Sequence, residues 1–511
     1  MSRSQILRTL THGLCLAMVG LGSLPLQAAD RLLVRFSGLE IPLDLQQLEE
    51  WAAQPERNRE LGPWLNLLDP DTRADFQRLL LQPLNLQTSS FPLLMQSWAG
   101  RQLVLKLGTL LRSPEGDAGP LLLDLLQQQG HPTVLSLLRQ ARTPRLELDL
   151  DALTELGEQL RGKLQRQKAL LQQVRNLNLP LMPPPSELEG SFEHQQLQLA
   201  APHRAQSLEL SLWWPKFTTA SKRWILLSHG LGGSPEQLHW LAEVLVAQGW
   251  PVLAVEHPSS DDDAVRALIE GRQALPGLET LPLRLQDLQL VEAAVRSQRL
   301  RFGSLPPPPR LVLVGHSLGA LTSLVWAGAQ PQSGLEQRCA RGLRSIPVLD
   351  SSYLLQCQLT ELNLPAAEPP QGLEAVLVMN SFGSLLWDDD GLETIQVPVL
   401  SIGGSLDLIT PPHGEQWQPF TQLRDPRSRF ALVEGGSHFS AVGVSRDDAL
   451  MQLGADLVGK DPGQVQRLLQ QLVIGYLNSL SVDQAPPVGV LRSGDVRGFV
   501  LEQDQIQPLR I

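Results

Sequence analysis

The stretch Gly315-His316-Ser317-Leu318-Gly319 decides how this chain of 511 residues is interpreted. The apolar run Leu311–Val314 before it predicts a buried strand, and Ala320–Ala327 after it predicts a helix. Glycines at both flanks permit a turn too tight for side chains, which leaves Ser317 projecting from the edge of a sheet. Free N–H groups at the start of the following helix favour negative charge there. The pattern G-x-S-x-G in this strand–turn–helix context predicts a reactive serine, and the alternative is a purely structural turn.

Residues 190–485 alternate strands with helices, which indicates an α/β domain with a mostly parallel sheet flanked by helices. An insertion over 331–372, after the helix that follows Ser317, is expected to cover the site as a lid. The tail 486–511 is weakly patterned and carries no assignment. The predicted strands are Leu208–Trp214, Trp224–Ser228, Val252–Glu256, Leu311–Val314, Glu374–Met379, Pro398–Ile402 and Phe430–Val433, and the predicted helices include Pro235–Gln248, Pro282–Arg299 and Pro462–Leu477.

Residues 30–178 predict a separate, mainly α-helical domain, because apolar residues recur at threes and fours. One opening strand is expected at Arg31–Phe36, and no chemical motif occurs in this part. A proline-rich segment over 179–189 predicts a stiff linker. The predicted helices are Leu45–Ala53, Thr72–Leu81, Pro92–Leu111, Ala118–Gln128, Thr133–Gln140 and Asp149–Leu170.

The first 29 residues have the composition of a secretory signal. Arg3 and Arg8 precede the mostly apolar run Leu10–Leu26, and small residues follow at Ala28 and Ala29. We therefore expect a cleaved signal and an exported protein, periplasmic or extracellular, with an uncleaved anchor as the alternative.

Two cysteines, Cys339 and Cys357, remain in the chain after removal of a signal that contains Cys15. An even pair in an exported protein favours a disulfide, which would pin the insertion, and two free thiols are the alternative.

The charge balance argues against some partners. The chain has 42 basic and 53 acidic residues, a formal net charge of −11, and no run of Lys or Arg that would bind nucleic acid. No C-x-x-C, H-E-x-x-H or nucleotide-binding G-x-G-x-x-G pattern is present, so no metal or cofactor is predicted. No segment after the signal is long and apolar enough to span a membrane.

A serine hydroxyl becomes a useful nucleophile when a histidine takes its proton and a carboxylate orients that histidine. Asp407 follows the predicted strand Pro398–Ile402, and His438 follows Phe430–Val433. The order Ser317, Asp407, His438 matches the order in which the three partners occur on sheets of this kind.

Other side chains compete for these roles. His413 lies just after two prolines and close to Asp407, and His257 follows a strand that precedes Ser317. The cluster Asp388–Asp390 is the alternative acid, although such a cluster is usually a solvated loop. His229 and His316 are expected to brace loops.

A second glycine-rich segment, Ser228-His229-Gly230-Leu231-Gly232-Gly233, directly follows the strand Trp224–Ser228. Acyl transfer creates an oxyanion that two fixed backbone N–H groups can bind. The backbone N–H groups of Leu318 and Leu231 are the candidates for this oxyanion hole, and a glycine-rich turn without a ligand is the alternative.

These segments together resemble the α/β-hydrolase superfamily over about residues 190–480, and within it the platelet-activating factor acetylhydrolase and dienelactone hydrolase branch. The resemblance implies a hydrolase that takes a small-molecule or lipid ester, with cleavage of short or oxidised acyl chains of phospholipids, and leaves peripheral contact with lipid open. Dienelactone hydrolases use a cysteine where this chain has Ser317, which favours an ordinary carboxylic ester hydrolase. The first half resembles an uncharacterised helical domain that precedes such hydrolases in secreted bacterial proteins. A peptidase or amidase on the same fold and a non-catalytic binding protein are the alternatives.

Overall fold

The computed structural model describes residues 31–54, 61, 65, 70–81, 97–114, 116–121, 133–141, 143, 145–186, 188–217, 221–274, 276–344, 351–362, 364, 367–443, 461–482 and 484–506. The predicted signal and most of the predicted helix Ala118–Gln128 lie outside these residues. The chain divides into two compact units, Met1–Pro92 with Val104–Glu155, and Leu93–Leu103 with Leu156–Ile511.

The first unit contains a five-stranded sheet in the order β2-β1-β5-β3-β4. Strand β1 pairs antiparallel with β2 and parallel with β5. The sequence predicted one strand in this part of the chain, and the structure adds four further strands beside the helices. The elements are β1 (Arg31–Phe36), β2 (Leu39–Asp44), α1 (Leu45–Ala53), α2 (Pro70–Leu81), α3 (Trp98–Leu110), β3 (Leu111–Ser113), β4 (Gly116–Asp117), α4 (Val134–Gln140), β5 (Arg145–Asp149) and α5 (Leu150–Asn176), of which α3 begins in the second unit and α5 ends in it.

The second unit alternates strands and helices along the chain, as predicted. Its strands are β6 (Phe192–Leu199), β7 (Leu208–Pro215), β8 (Arg223–Ser228), β9 (Val252–Val255), β10 (Arg310–His316), β11 (Leu373–Met379), β12 (Val399–Gly404), β13 (Arg429–Val433), β14 (Gly489–Ser493) and β15 (Val496–Leu501). Its helices are α6 (His239–Ala247), α7 (Asp262–Ile269), α8 (Leu281–Arg296), α9 (Leu318–Trp326), α10 (Leu335–Gly342), α11 (Ser351–Gln358), α12 (Ser384–Trp387), α13 (Gln418–Phe420), α14 (Pro462–Ser481) and α15 (Gln503–Ile506).

A ten-stranded sheet in the order β14-β15-β13-β12-β11-β10-β8-β9-β7-β6 organises this unit. The six central strands, β9, β8, β10, β11, β12 and β13, run parallel to one another. Antiparallel pairs complete both edges, with β7 and β6 on one side and β15 and β14 on the other. The sheet is therefore mostly parallel and flanked by helices, as an α/β hydrolase requires.

The central strands bury both of their faces. In β10, Leu311 and Leu313 pack into the core on one face, and Val312 and Val314 into the core on the other. Successive side chains of a strand point to opposite faces, so a continuous apolar run is what a doubly covered strand needs. This pattern is why the strand before Ser317 could be recognised from sequence.

Two sequence-based boundaries differ from the structure. The predicted tail 486–511 supplies β14 and β15, and Phe430 of β13 pairs with Leu501. The predicted linker 179–189 is attached to the sheet, since the Met182 N–H donates to the Val490 carbonyl at 2.9 Å. Within the described ranges, no helix combines the length and the apolar character needed to cross a bilayer.

Candidate active site

Ser317 occupies a sharp turn between β10, which ends at His316, and α9, which begins at Leu318. Its backbone has φ 51° and ψ −116°, a conformation that residues with a side chain rarely adopt. The turn is held because the Ser317 N–H donates to the Met379 carbonyl at 2.9 Å. A Cβ added to Gly319 would overlap the Ser228 carbonyl oxygen, so glycine is required there. The turn presents the Ser317 hydroxyl above the sheet, at the N-terminus of a helix.

Ser317, Asp407 and His438 meet at one edge of the sheet. The His438 Nε2 lies 3.0 Å from the Ser317 Oγ, and the His438 Nδ1 lies 2.9 Å from an Asp407 carboxylate oxygen. The three residues follow β10, β12 and β13, and parallel strands bring their carboxyl ends to the same edge. With Nδ1 protonated towards Asp407, Nε2 is free to accept the serine proton.

The Asp407 carboxylate is fully buried and has partners besides His438. It accepts hydrogen bonds from the Asn380 amide at 2.6 Å, from the Ile409 and Thr410 N–H groups at 2.9 and 2.8 Å, and from the Thr410 hydroxyl at 2.7 Å. Burial by itself would raise the pKa of Asp407, but the charge of His438 and these hydrogen bonds outweigh it and the pKa is lowered. The carboxylate is therefore ionised at neutral pH. Sequence analysis did not identify Asn380 or Thr410.

His316 supports the backbone of His438. Its Nε2 donates to the His438 carbonyl at 3.0 Å. Burial, followed by the charge of His438, lowers the pKa of His316 to about 3, so the ring is neutral. This position agrees with the expectation that His316 braces a loop.

The segment after β8 lies directly beside Ser317. A Cβ on Gly230 would stand 3.2 Å from the Ser317 Cβ and 2.9 Å from the His316 Nδ1, so only glycine allows this approach. Gly319, in the first turn of α9, packs against the carbonyls of Ser228 and His229. The backbone N–H of Leu318 begins α9 and has no acceptor one turn earlier in the helix. The amides of Leu231 and Leu318 thus belong to two segments that flank the serine.

A second Ser–His–Asp chain is buried beneath this loop. The Ser228 Oγ lies 3.0 Å from the His257 Nε2, and the His257 Nδ1 lies 2.8 Å from an Asp287 oxygen. Asp287 is also bound by His203 at 2.7 Å and by Arg204 through two bonds of 3.0 and 2.5 Å. Ser228 is 1% exposed and its backbone packs on α9, whereas Ser317 is 8% exposed at a helix start. This cluster therefore braces the loop, and His257 belongs to it rather than to the Ser317 site.

The other candidates lie apart from Ser317. His413 is half-buried in a single π-helical turn, His413–Trp417. Asp388 pairs with Arg338 at 3.1 Å, and Asp389 and Asp390 are exposed. Among the contacts of the described residues, neither His413 nor the Asp388–Asp390 cluster reaches His438 or Ser317.

The insertion 331–372 contains α10 and α11, and a disulfide joins Cys339 to Cys357, as predicted. The buried Glu415 carboxylate attaches α11 to the rest of the unit, because it accepts from the Ser352 hydroxyl at 2.8 Å and the Gln356 amide at 3.0 Å. Burial raises the pKa of Glu415 despite these bonds.

The second half of α5 contacts the loops that carry the acid and the base. The buried Gln167 amide donates to the carbonyls of Ser405 and Asp407 at 2.7 and 3.0 Å. Arg175 forms an ion pair with Glu434, the first residue of the loop between β13 and His438. The predicted helix Asp149–Leu170 gave no indication of these contacts.

Among the residues that the structure describes, no three His, Cys, Asp or Glu side chains are grouped so that they could hold a metal ion.

Comparison with known proteins gives one family match. Residues 28–149 match a family described as "Alpha/beta hydrolase of unknown function (DUF1400)". No curated protein matches the chain. The family match and the mostly parallel sheet support membership of the α/β-hydrolase superfamily and suggest a hydrolase, without distinguishing its branch.

Proposed function

We propose that the protein is a serine hydrolase that cleaves carboxylic esters through an acyl-enzyme on Ser317. The observation that carries the proposal is the hydrogen-bonded chain from the Ser317 Oγ through His438 to Asp407, at 3.0 and 2.9 Å. A hydroxyl on a strained strand-to-helix turn, next to an imidazole that contacts a buried carboxylate, fits nucleophilic acyl transfer.

In the proposed reaction, the Ser317 Oγ attacks the ester carbonyl while the His438 Nε2 takes its proton. The tetrahedral oxyanion is bound by the N–H groups of Leu231 and Leu318. The intermediate collapses, the C–O bond to the alcohol breaks, and His438 gives its proton to the leaving alkoxide. Water, deprotonated by His438, then attacks the acyl group and releases the acid and Ser317. Asp407 orients His438 and stabilises its charged form throughout.

The proposed substrates are esters with short or oxidised acyl chains, including those of phospholipids, as the resemblance to platelet-activating factor acetylhydrolases implies. We also propose that the protein is exported and that the insertion 331–372 acts as a lid. The Cys339–Cys357 disulfide supports export, because disulfides persist in oxidising compartments.

Turnover of p-nitrophenyl acetate, butyrate and octanoate by the wild type and by Ser317→Ala tests the proposal. We expect Ser317→Ala to lower kcat by about 10⁴-fold or more. Ser323→Ala is the matched control, because among the described residues the Ser323 hydroxyl bonds the Gly319 carbonyl within α9, at 2.9 Å, and no other group. Equal rates for the wild type and Ser317→Ala would reject the proposal. Faster cleavage of matched p-nitroanilides than of the esters would favour an amidase instead.

A further inference from the structure

Arg284 is a fully buried cation on α8 whose bonds go to the loop beside Ser317. Its Nη1 donates to the His229 carbonyl at 2.7 Å, its Nη2 donates to the Gly230 carbonyl at 3.1 Å, and its Nε donates to the Ser260 hydroxyl at 2.8 Å. Asp287, one turn further along α8, is engaged by His257 and Arg204. Burial of a guanidinium is costly, and for Arg284 the charges of Asp287 and Asp261 offset part of that cost. Its hydrogen bonds, however, go to two carbonyls and a hydroxyl.

His229 directs a second donor to the same carbonyl. The His257 backbone N–H donates to the His229 Nε2 at 3.0 Å, so Nε2 is the acceptor and the Nδ1 carries the proton. The Nδ1 then donates to the Gly230 carbonyl at 2.7 Å. Burial, followed by the charge of Arg284, lowers the pKa of His229, which keeps the ring in this neutral form.

The Gly230 carbonyl therefore receives three donors, since the Gly233 N–H also approaches it at 3.3 Å. Its peptide partner is the N–H of Leu231. In a planar trans peptide the N–H points opposite to the carbonyl, so fixing the oxygen also fixes the direction of the N–H. Donors on the oxygen also polarise the peptide and make its N–H a stronger donor.

We propose that Arg284 is a positioning residue for the oxyanion hole. By donating to the Gly230 carbonyl, Arg284 fixes the direction of the Leu231 N–H and makes this N–H a stronger donor. The proposal rests on the proposed function, because the oxyanion forms only during acyl transfer. Burial lowers the pKa of Arg284 to about 9, so the side chain remains charged at neutral pH. The charge acts on the transition state through one peptide group and does not touch the substrate.

The variants Arg284→Met and Arg284→Lys, assayed in the full chain with p-nitrophenyl butyrate, test this role. We expect Arg284→Met to lower kcat by about 10- to 100-fold with KM within about twofold, a smaller loss than that for deleting a whole oxyanion donor. Arg284→Lys keeps the charge but offers fewer directed donors, so it should recover part of the loss. The inhibition constant for trifluoroacetophenone, which forms an oxyanion on the serine, should rise by the same factor as kcat falls.

Arg429→Met is the matched control, because Arg429 is also buried and also bonds backbone carbonyls, but at the start of β13, the opposite end of that strand from His438. It should lower the melting temperature and leave kcat near the wild-type value. Equal losses of kcat in Arg284→Met and Arg429→Met, or an unchanged inhibition constant in Arg284→Met, would overturn the proposal. If Arg284→Met does not fold, Arg284→Lys decides: wild-type kcat and inhibition constant would overturn the role, and parallel changes in both would support it.

The failure of this inference can be distinguished from the failure of the proposed function. Wild-type turnover that does not depend on Ser317 rejects the function and the role of Arg284 with it. Turnover that depends on Ser317 but not on Arg284 overturns only the role of Arg284.

Discussion

At the scale of single residues, the Thr410 hydroxyl contributes to the acid–base pair although the sequence did not mark it. It lies 2.7 Å from an Asp407 oxygen and 3.2 Å from the His438 Nδ1. Thr410→Val keeps the shape and the backbone N–H but removes this donor. We expect kcat to fall about tenfold with KM unchanged, since a hydrogen bond to a charged group contributes about 1.5 kcal/mol or more.

Steady-state kinetics with p-nitrophenyl butyrate measure this effect. Thr322→Val is the control, because Thr322 is equally buried and its hydroxyl bonds the Leu318 carbonyl within α9. The proposed contribution of Thr410 would be contradicted by a tenfold loss in both variants, or in neither.

The buried Asp287 predicts a pH dependence of stability. Burial by itself would raise the pKa of Asp287, but the hydrogen bonds from His257 and Arg204 have the larger effect and lower its pKa from 3.8 to about 2. A carboxyl with a lowered pKa in the folded state stabilises above its usual pKa and loses that contribution as the pH falls through the folded value. The shift corresponds to about 2 kcal/mol at neutral pH.

Asp287→Asn should therefore reduce the free energy of unfolding by about 2 kcal/mol or more at pH 6, and the difference from the wild type should narrow between pH 4 and pH 2. Urea unfolding at several pH values measures it. A difference that stays constant from pH 6 to pH 2 would show that the charge of Asp287 is not responsible.

The order of Ser317, Asp407 and His438 could be predicted because each follows a recognisable apolar strand, and parallel strands align their carboxyl ends. Arg284 could not, because its partners are carbonyls and a hydroxyl of loops that are distant in sequence. Thr410 could not, because nothing local shows that its hydroxyl meets both Asp407 and His438, which follow different strands. An arginine on an amphipathic helix is normally interpreted as a surface residue, and α8 buries this one completely.

At the scale of elements, the second half of α5 positions the acid loop. Gln167 donates to two buried carbonyls, Ser405 and Asp407, which no other side chain among the described contacts reaches. Gln167→Met leaves both without this donor, at a cost of about 1–3 kcal/mol in stability. We expect kcat to fall several-fold together with faster hydrogen exchange of the Ser405–Thr410 loop.

Gln172→Met is the control, because Gln172 is exposed on the same helix. Hydrogen exchange followed by mass spectrometry locates the change. Unchanged exchange in the acid loop of Gln167→Met would contradict this account of α5.

Elements with a clear apolar pattern could be predicted from the sequence, whereas polar or very short elements could not. Strands β8, β10 and β13 were identified to within two residues at either end because both of their faces are buried. Strand β6 was missed, since it is an edge strand with mostly exposed side chains, and β3 and β4 have only three and two residues. Their strand conformation comes from pairing with neighbours, which local sequence does not encode.

At the scale of the whole molecule, the division between the units falls inside α5, whereas sequence analysis placed the boundary at the proline-rich segment 179–189. Leu170 and Val174 are fully buried in the core of the second unit, among Leu208 and Leu210. The helical pattern of α5 continues without interruption across the boundary, so the sequence could not indicate where the first unit ends.

Two truncated chains test this division. A chain that starts at residue 156 keeps the second unit except for Leu93–Leu103, and it should fold and retain activity. A chain that starts at residue 179 lacks Gln167, Leu170 and Val174. Loss of the burial of Leu170 and Val174 should lower the free energy of unfolding by about 3–6 kcal/mol in total, which is much of the stability of an ordinary domain. Melting temperatures and kcat measure the difference, and equal stability and activity in the two chains would contradict the assignment of α5 to the second unit.

The account depends most on Ser317 being the activated nucleophile. The direct measurement is intact-mass and peptide mass spectrometry after reaction of the folded protein with a fluorophosphonate probe. The account predicts one adduct per chain, located on Ser317, absent from Ser317→Ala and not transferred to Ser228. An unlabelled wild-type protein, or an adduct elsewhere that persists in Ser317→Ala, would contradict it.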